Sequence, residues 1–381
     1  MKYLLILFST ILITACGGGV DNAEPPAELV DFTASAELSV NKEIEYNATA
    51  SRYARVHPLE LDENIIFAES AGSITVFSKK TFNILWQKRF DDIQPSAIGG
   101  DNNLYLLGTR SGELVAINPE NGERIWKARV SSEVLAKPVV KSGIVVVKTV
   151  DGQLTALDAT SGKEKWIFKK DVPALSVRGN STPVIVDKKI ITGLDSGKLV
   201  IVDLMTGQLF WEKTITIPRG RSETERLVDL DADLIINENV LYIAGFQGRV
   251  VALDLKSGDF LWVRKMSVIH NMTFEDGRIY ITDVRSHIWA LDSVTGATIW
   301  KQGVFTARKF TSASVMDDYL LFGDYQGYIH VLAKADGHQV ARLQVDEAGF
   351  DIPPVIIGET IYVQSRNSRI FLLALKKLVD R

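Results

Sequence analysis

The sequence predicts an all-β fold, an eight-bladed β-propeller of four-stranded antiparallel blades whose last blade is closed by an N-terminal strand. Three observations predict it. The motif at 111–126, Ser-Gly-Glu-Leu-Val-Ala-Ile-Asn-Pro-Glu-Asn-Gly-Glu-Arg-Ile-Trp, recurs almost from end to end of the chain. Its copies lie near 40 residues apart, the mark of a stacked or radial repeat whose units bury their faces on neighbours. Each unit reads as short apolar runs parted by Gly-containing turns, with no helical periodicity longer than a turn.

Copies occupy 151–166, 196–211, 247–262 and 285–300, and a weaker one at 71–86 has Phe82 in place of the second glycine. Two more, 326–341 and 367–374, lack the tryptophan. Measured at the first glycine or its replacement (Gly72, Gly112, Gly152, Gly197, Gly248, Ser286, Gly327, Ser368), the spacings are 40, 40, 45, 51, 38, 41 and 41. Within a unit, the run through Leu114 and Ala116 leads to an Asn-Gly or Ser-Gly turn and then a strand carrying Ile125 to Val130. Two further runs precede them, such as 136–140 and 144–149 around Lys-Ser-Gly. Four short strands per unit indicate a propeller blade, and eight rulers indicate eight blades.

At the N-terminus Lys2 precedes an apolar run from Leu4 to Leu12 and then Ile13-Thr14-Ala15-Cys16. A run of about ten residues is short of the roughly 20 that cross a bilayer, so residues 1–15 are expected to be a signal peptide. Small residues before a lone cysteine identify a lipoprotein cleavage site, with Cys16 as the lipidated residue. It is the only cysteine of 381 residues, which excludes a disulfide framework, a CxxC redox pair or a thiolate metal cluster. Several acyl chains on Cys16 would exceed the two signals stable anchoring needs. Gly17 follows it rather than Asp, which favours the outer membrane. Residues 16–35, with Gly17-Gly18-Gly19 and Pro25-Pro26, read as a flexible tether. No Lys-Ser/Thr and no helix follows the glycines, so a phosphate loop is not indicated.

The propeller is expected over 36–381. Hydrophobic residues make up 46% and charged residues 24%, enough to build a core. The net charge of −4, without a basic run, argues against nucleic acid. The blades partition as 54–91, 94–131, 134–171, 180–217, 226–268, 270–305 and 311–346, with an eighth after Gly349 that has only three strands. The segment 37–47 (Leu38, Val40, Ile44, Tyr46) alternates like a strand and belongs to no repeat, so it is expected to supply the missing one and remove an open edge. Trp86, Trp126, Trp166, Trp211, Trp262 and Trp300 recur at one place per blade and are expected to pack between sheets. Trp289 lies outside that series, either on the surface or in the channel.

Function is expected where the period breaks, because loops on a rigid frame carry binding. The two long spacings place an insert around 171–179 and a second, of some 11 residues, between Ile215 and Leu230. Both connect the last strand of one blade to the first of the next, so both emerge on one face. The first offers Leu175, Val177 and Arg178, an apolar pair beside an arginine that suits protein binding. The second offers Asp229 and Asp231, whose side chains share a side if the segment is extended. Pairing of Arg178 with one of these carboxylates is the alternative, purely structural use.

The lipoprotein site, the Trp-anchored blades, Leu-Ser-Val-Arg-Gly at 175–179, Arg-Leu-Val-Asp-Leu-Asp at 226–231 and Gly-Tyr-Ile-His-Val at 327–331 together resemble the BamB family. These are lipoproteins of the outer-membrane β-barrel assembly (BAM) machinery. The resemblance covers the whole chain, and the two insert motifs are its specific part. It implies a non-catalytic role and a contact with the periplasmic POTRA region of BamA through Leu175, Val177, Arg178, Asp229 and Asp231. Val177 stands where a leucine is common, and Asp233 and Leu234 where the family often has threonine and proline.

A pyrroloquinoline-quinone dehydrogenase shares the Trp repeats, but such enzymes are usually much longer and place a vicinal Cys-Cys pair against the cofactor. This chain has no such pair. Calcium at Asp229, Asp231 and Asp233 imitates the start of an EF-hand but lacks its glycine and its final glutamate. His57, His270, His287, His330 and His338 show no ligand spacing and read as solvated or packed. No cofactor or metal is therefore expected. A sugar- or peptidoglycan-binding lipoprotein using the central channel is a third reading. Pairing of exposed strand edges with barrel precursors is conceivable, without support from particular residues.

Overall fold

Every blade must bury two sheet faces, and the strand pattern follows from that demand. The computed structural model describes residues 24–44, 56–81, 83–170, 181–217, 228–230 and 232–378. Among these residues there are eight four-stranded antiparallel sheets. Seven are built from consecutive strands, over 59–89, 95–129, 139–169, 184–214, 235–265, 273–302 and 314–344. The eighth joins Val355–Ile357, Thr360–Gln364 and Ile370–Lys377 to Ala36–Ile44. The second and third strands of each blade are runs of Val, Ile and Leu buried on both faces, as in Ile144–Lys148. Such runs do not alternate, because neither face meets water.

The core is divided into eight apolar clusters, each lying between two successive blades. Val145 and Val147 of blade three pack on Ala97, Leu106 and Leu114 of blade two. The circle closes where Ile65, Phe67 and Phe77 of blade one meet Tyr362, Ile370 and Leu372 of blade eight.

The repeated tryptophan is the fastening between blades. The indole N–H of Trp126 donates to the Ala159 carbonyl at 2.8 Å, and those of Trp86, Trp166, Trp262 and Trp300 reach Pro119, Leu204, Ser293 and Lys334 likewise. In each pair the carbonyl belongs to the last turn of the following blade, whose glycine lies against the ring. Gly162 has a φ of 69°, and a methyl group there would come within 2.6 Å of Trp126, so the position excludes a side chain twice over. This accounts for the irregular copies. Blade eight has no turn within the chain between its third and fourth strands, so blade seven has nothing for a tryptophan to grip and carries Ala341 instead. Blade one follows a blade without tryptophan, so its turn has no need of the glycine that Phe82 replaces; Phe82 itself lies outside the described residues.

The closing strand is Ala36–Ile44, one residue earlier at its start than the sequence suggests; 45–47 lie outside the described residues. It pairs with the last strand from Ala36 opposite Lys377 to Ile44 opposite Ile370, with a bulge between Val40 and Lys42. Ala36 and Leu38 are buried with Ile329 and Val331 of blade seven, and Glu43 pairs with Arg369.

Residues 24–35, assigned by composition to the flexible tether, are held against blades six and seven. The Ala27 amide donates to Thr306 and the Ser35 amide to Val340 (2.9 and 3.1 Å), while Arg308 and Arg342 donate to the Ala27 and Val30 carbonyls (2.9 and 3.1 Å). The Arg342 guanidinium also stands 5.2 Å from the Phe32 ring centre. Backbone carbonyls do this work, which composition does not reveal. Trp289 lies neither in the channel nor free on the surface. It fills the interface of blades five and six, between Arg264 and Lys301 (5.8 and 4.5 Å from the ring centre), and its N–H donates to Asp283 at 3.0 Å.

Candidate functional site

Connections from a fourth strand to the next first strand, and turns between second and third strands, share one rim of an antiparallel blade. On that rim the connections after blades three and four run 14 and 20 residues between strands, the one from Ala36–Ile44 into blade one also runs 14, and the remaining five run 5 to 11. Leu175, Val177, Arg178 and Asp231 of these connections lie outside the described residues, as do the expected signal peptide and Cys16.

Asp229 is described, and it is 1% exposed between buried Val228 and Leu230. Its carbonyl accepts from the Phe246 amide at 2.9 Å, forming a one-bridge pairing with blade five. Leu230 packs among Ile191, Leu199 and Leu241 where Gly193 leaves room for it. The carboxylate of Asp229 therefore sits beneath the rim rather than on its outer surface.

The roots of both long connections are tied by polar contacts that sequence reasoning missed. Ser181 and Thr182 stand near the end of the first. The Lys148 side-chain nitrogen, on a residue 2% exposed, donates to Ser181 Oγ at 3.0 Å and to the Gly193 carbonyl at 2.9 Å. Asp233, at the end of the second, accepts from the Thr182 amide at 2.7 Å and from Asn271 Nδ2 at 2.8 Å. Asn271 Oδ1 in turn accepts from the Asp233 amide at 2.8 Å. Both Asp233 oxygens thus face N–H donors, an arrangement unsuited to a cation. The only signal in the sequence was that Asp233 departs from the related pattern.

Further round the rim, Asp324 organises the turn of blade seven. Its Oδ1 accepts from the Gln326 and Tyr328 amides, both at 2.9 Å, and its Oδ2 from Arg308 Nε and Nη2 (2.9 and 2.6 Å) and His330 Nε2 (3.0 Å). Burial alone would raise this carboxyl, but its bonds and opposite charges outweigh that and hold it below the usual range. Burial holds His330 below the ordinary histidine value in spite of Asp324. Among the described residues no group of three His, Cys, Asp or Glu could hold a metal ion.

In the corresponding turn of blade one, burial pushes Glu69 up to about 7, against smaller opposing effects of Ser73 and Arg89. A folded-state value above the ordinary one means that its contribution is complete below the unfolded carboxyl range and lost as pH rises through 7. Glu69→Gln should therefore stabilise the protein at pH 8 by up to about 3 kcal/mol and leave it nearly unchanged at pH 4. Urea unfolding at the two pH values checks this; an equal difference at both would contradict it.

The family described as Outer membrane protein assembly factor BamB matches residues 56–302. The outer membrane protein assembly factor BamB of Kangiella koreensis is 32% identical over 375 residues, covering 98% of this chain and 96% of that protein. The crystal structure of BamB from Moraxella catarrhalis superposes with a TM-score of 0.78 at 23% identity, over 88% of this chain and 99% of that one. A europium-containing methanol dehydrogenase gives a TM-score of 0.73 at 10% identity, over 88% and 93% of the two chains, which shows a shared fold alone. From the repeated blades to the extent of these matches, the observations agree that the chain belongs to the BamB family of outer membrane protein assembly factors.

Proposed function

We propose that the chain is a non-catalytic scaffold of the BAM complex, anchored through lipidated Cys16 on the periplasmic face of the outer membrane. It binds the periplasmic POTRA region of BamA and assists the insertion of β-barrel proteins. The observation that carries this reading, beside the full-length similarity, is that the 20-residue connection after blade four directly succeeds the 14-residue one after blade three on the same rim. The segment 24–35 supports it as well, because Ala27 meets Thr306 and Arg308 in the connection after blade six, on that same rim. Leu175, Val177, Arg178 and Asp231 supply the contact, and Asp229, buried and held through its carbonyl by Phe246, anchors the end of the second connection.

Arg178→Ala is expected to weaken BamA capture by about 30-fold, the scale of a binding hot spot, with an unchanged circular dichroism spectrum. Full retention of BamA by both Arg178→Ala and a folded Asp229→Ala would remove the site assignment.

A second role has one observation behind it. The fourth strands are the outer edges of their sheets, and those of blades one, four and five expose Leu85, Phe210 and Leu261 by more than half. Extended segments of unfolded barrel precursors could add to such edges.

A further inference from the structure

We propose that Asp233 is a positioning residue for docking, holding the roots of both long connections in one geometry; this deepens, and rests on, the BamA-binding role above. The argument is one of connectivity. Thr182 and Asp233 are 51 residues apart and Asp233 and Asn271 are 38 apart, so one carboxylate links the entries to blades four, five and six. The neighbouring Ser181 is tied in the other direction, to Lys148 of blade three. The root of the first connection is thus strung between blades on either side, and the second ends on the same tie.

Charge-assisted bonds of 2.7 and 2.8 Å are of the strong kind. Loops held in their bound arrangement avoid the ordering cost of association. Each Asp233 oxygen already accepts an N–H from within the fold, and its effect on docking runs through the connections whose ends it ties. Ala at 233 removes the acceptor of both Thr182 N–H and Asn271 Nδ2. Asn at 233 keeps one carbonyl oxygen and can meet one of the two.

The test uses the full-length lipidated chain in detergent micelles and purified BamA. Binding kinetics are followed by surface plasmon resonance, and hydrogen–deuterium exchange is read at peptides over 181–183 and 271. Asp233→Ala is expected to weaken binding about tenfold through slower association, because only the fraction with an ordered root is competent. Dissociation should be unchanged, and exchange should rise at 181–183. Asp233→Asn should lie between it and wild type, an intermediate effect that mere destabilisation far below the melting point would not give.

Binding by Asp233→Ala within twofold of wild type overturns the proposal. So does a loss carried by faster dissociation alone, which would mean direct contact. If Arg178→Ala releases BamA and Asp233→Ala does not, only this inference fails; if wild type does not bind BamA, the docking role fails and takes it along.

Discussion

Replacing Asp324 with alanine should destabilise the protein by about 3–5 kcal/mol, the range found when one partner of a buried charge pair is removed. Arg308 and Asp324 are 2% and 0% exposed, and His330 is buried beside them against the stacked pair Phe305 and Phe310. Removing the carboxylate leaves the guanidinium without its charge partner and deprives the Gln326 and Tyr328 amides of their acceptor. Arg308 also holds the Ala27 carbonyl, so the segment 24–35 should loosen with it.

The pH dependence has a definite sign. Asp324 titrates below the ordinary range in the folded protein, so its contribution is present above the unfolded carboxyl value and lost as pH falls. Neutral buried His330 takes up a proton more readily unfolded, so stability also falls as pH drops below about 6.5. Wild type should therefore lose stability from weakly acid pH downward. Urea unfolding of wild type and Asp324→Ala checks both statements, and a loss under about 1 kcal/mol at pH 7.5 would contradict the first.

Deleting 36–44 should cost about 5 kcal/mol or more, comparable with the whole stability of an ordinary domain. The loss has three parts: the ladder to Ile370–Lys377, burial of Ala36 and Leu38 against blade seven, and the Glu43–Arg369 pair. It also uncovers a long apolar edge, Ile370 to Leu375, that templates association. The expected result is a much lower melting transition with aggregation during heating, read by calorimetry and light scattering. An unchanged transition would show that the ring closes without this strand.

Blade count, blade limits and the closing strand were legible because each blade repeats the same local physics: two buried strands, a glycine turn and a tryptophan. The long connections were legible as breaks in a regular ruler. What was not legible came from partners far apart in sequence. Trp289 could not be placed because its neighbours, Arg264 and Lys301, belong to two different blades. Asp229 read as a surface residue by alternation, yet a pairing with Phe246 draws it under the rim. The seating of 24–35 depends on arginines some 280 to 310 positions away that seek backbone carbonyls. Asp233 looked like a mere substitution until Thr182 and Asn271 were seen around it.

The strand at 36–44 and its partner at 370–377 are far apart in the chain, Ile44 and Ile370 being 326 residues apart. Until 370–377 has joined 36–44, seven and a half blades can stack but the circle has a gap. Entropy of joining such remote strands grows slowly with the length between them, yet the join must wait for the later strand. The unfinished arc presents a sticky rim throughout that wait, so this is the interval in which a folding helper would matter most to the protein's own maturation.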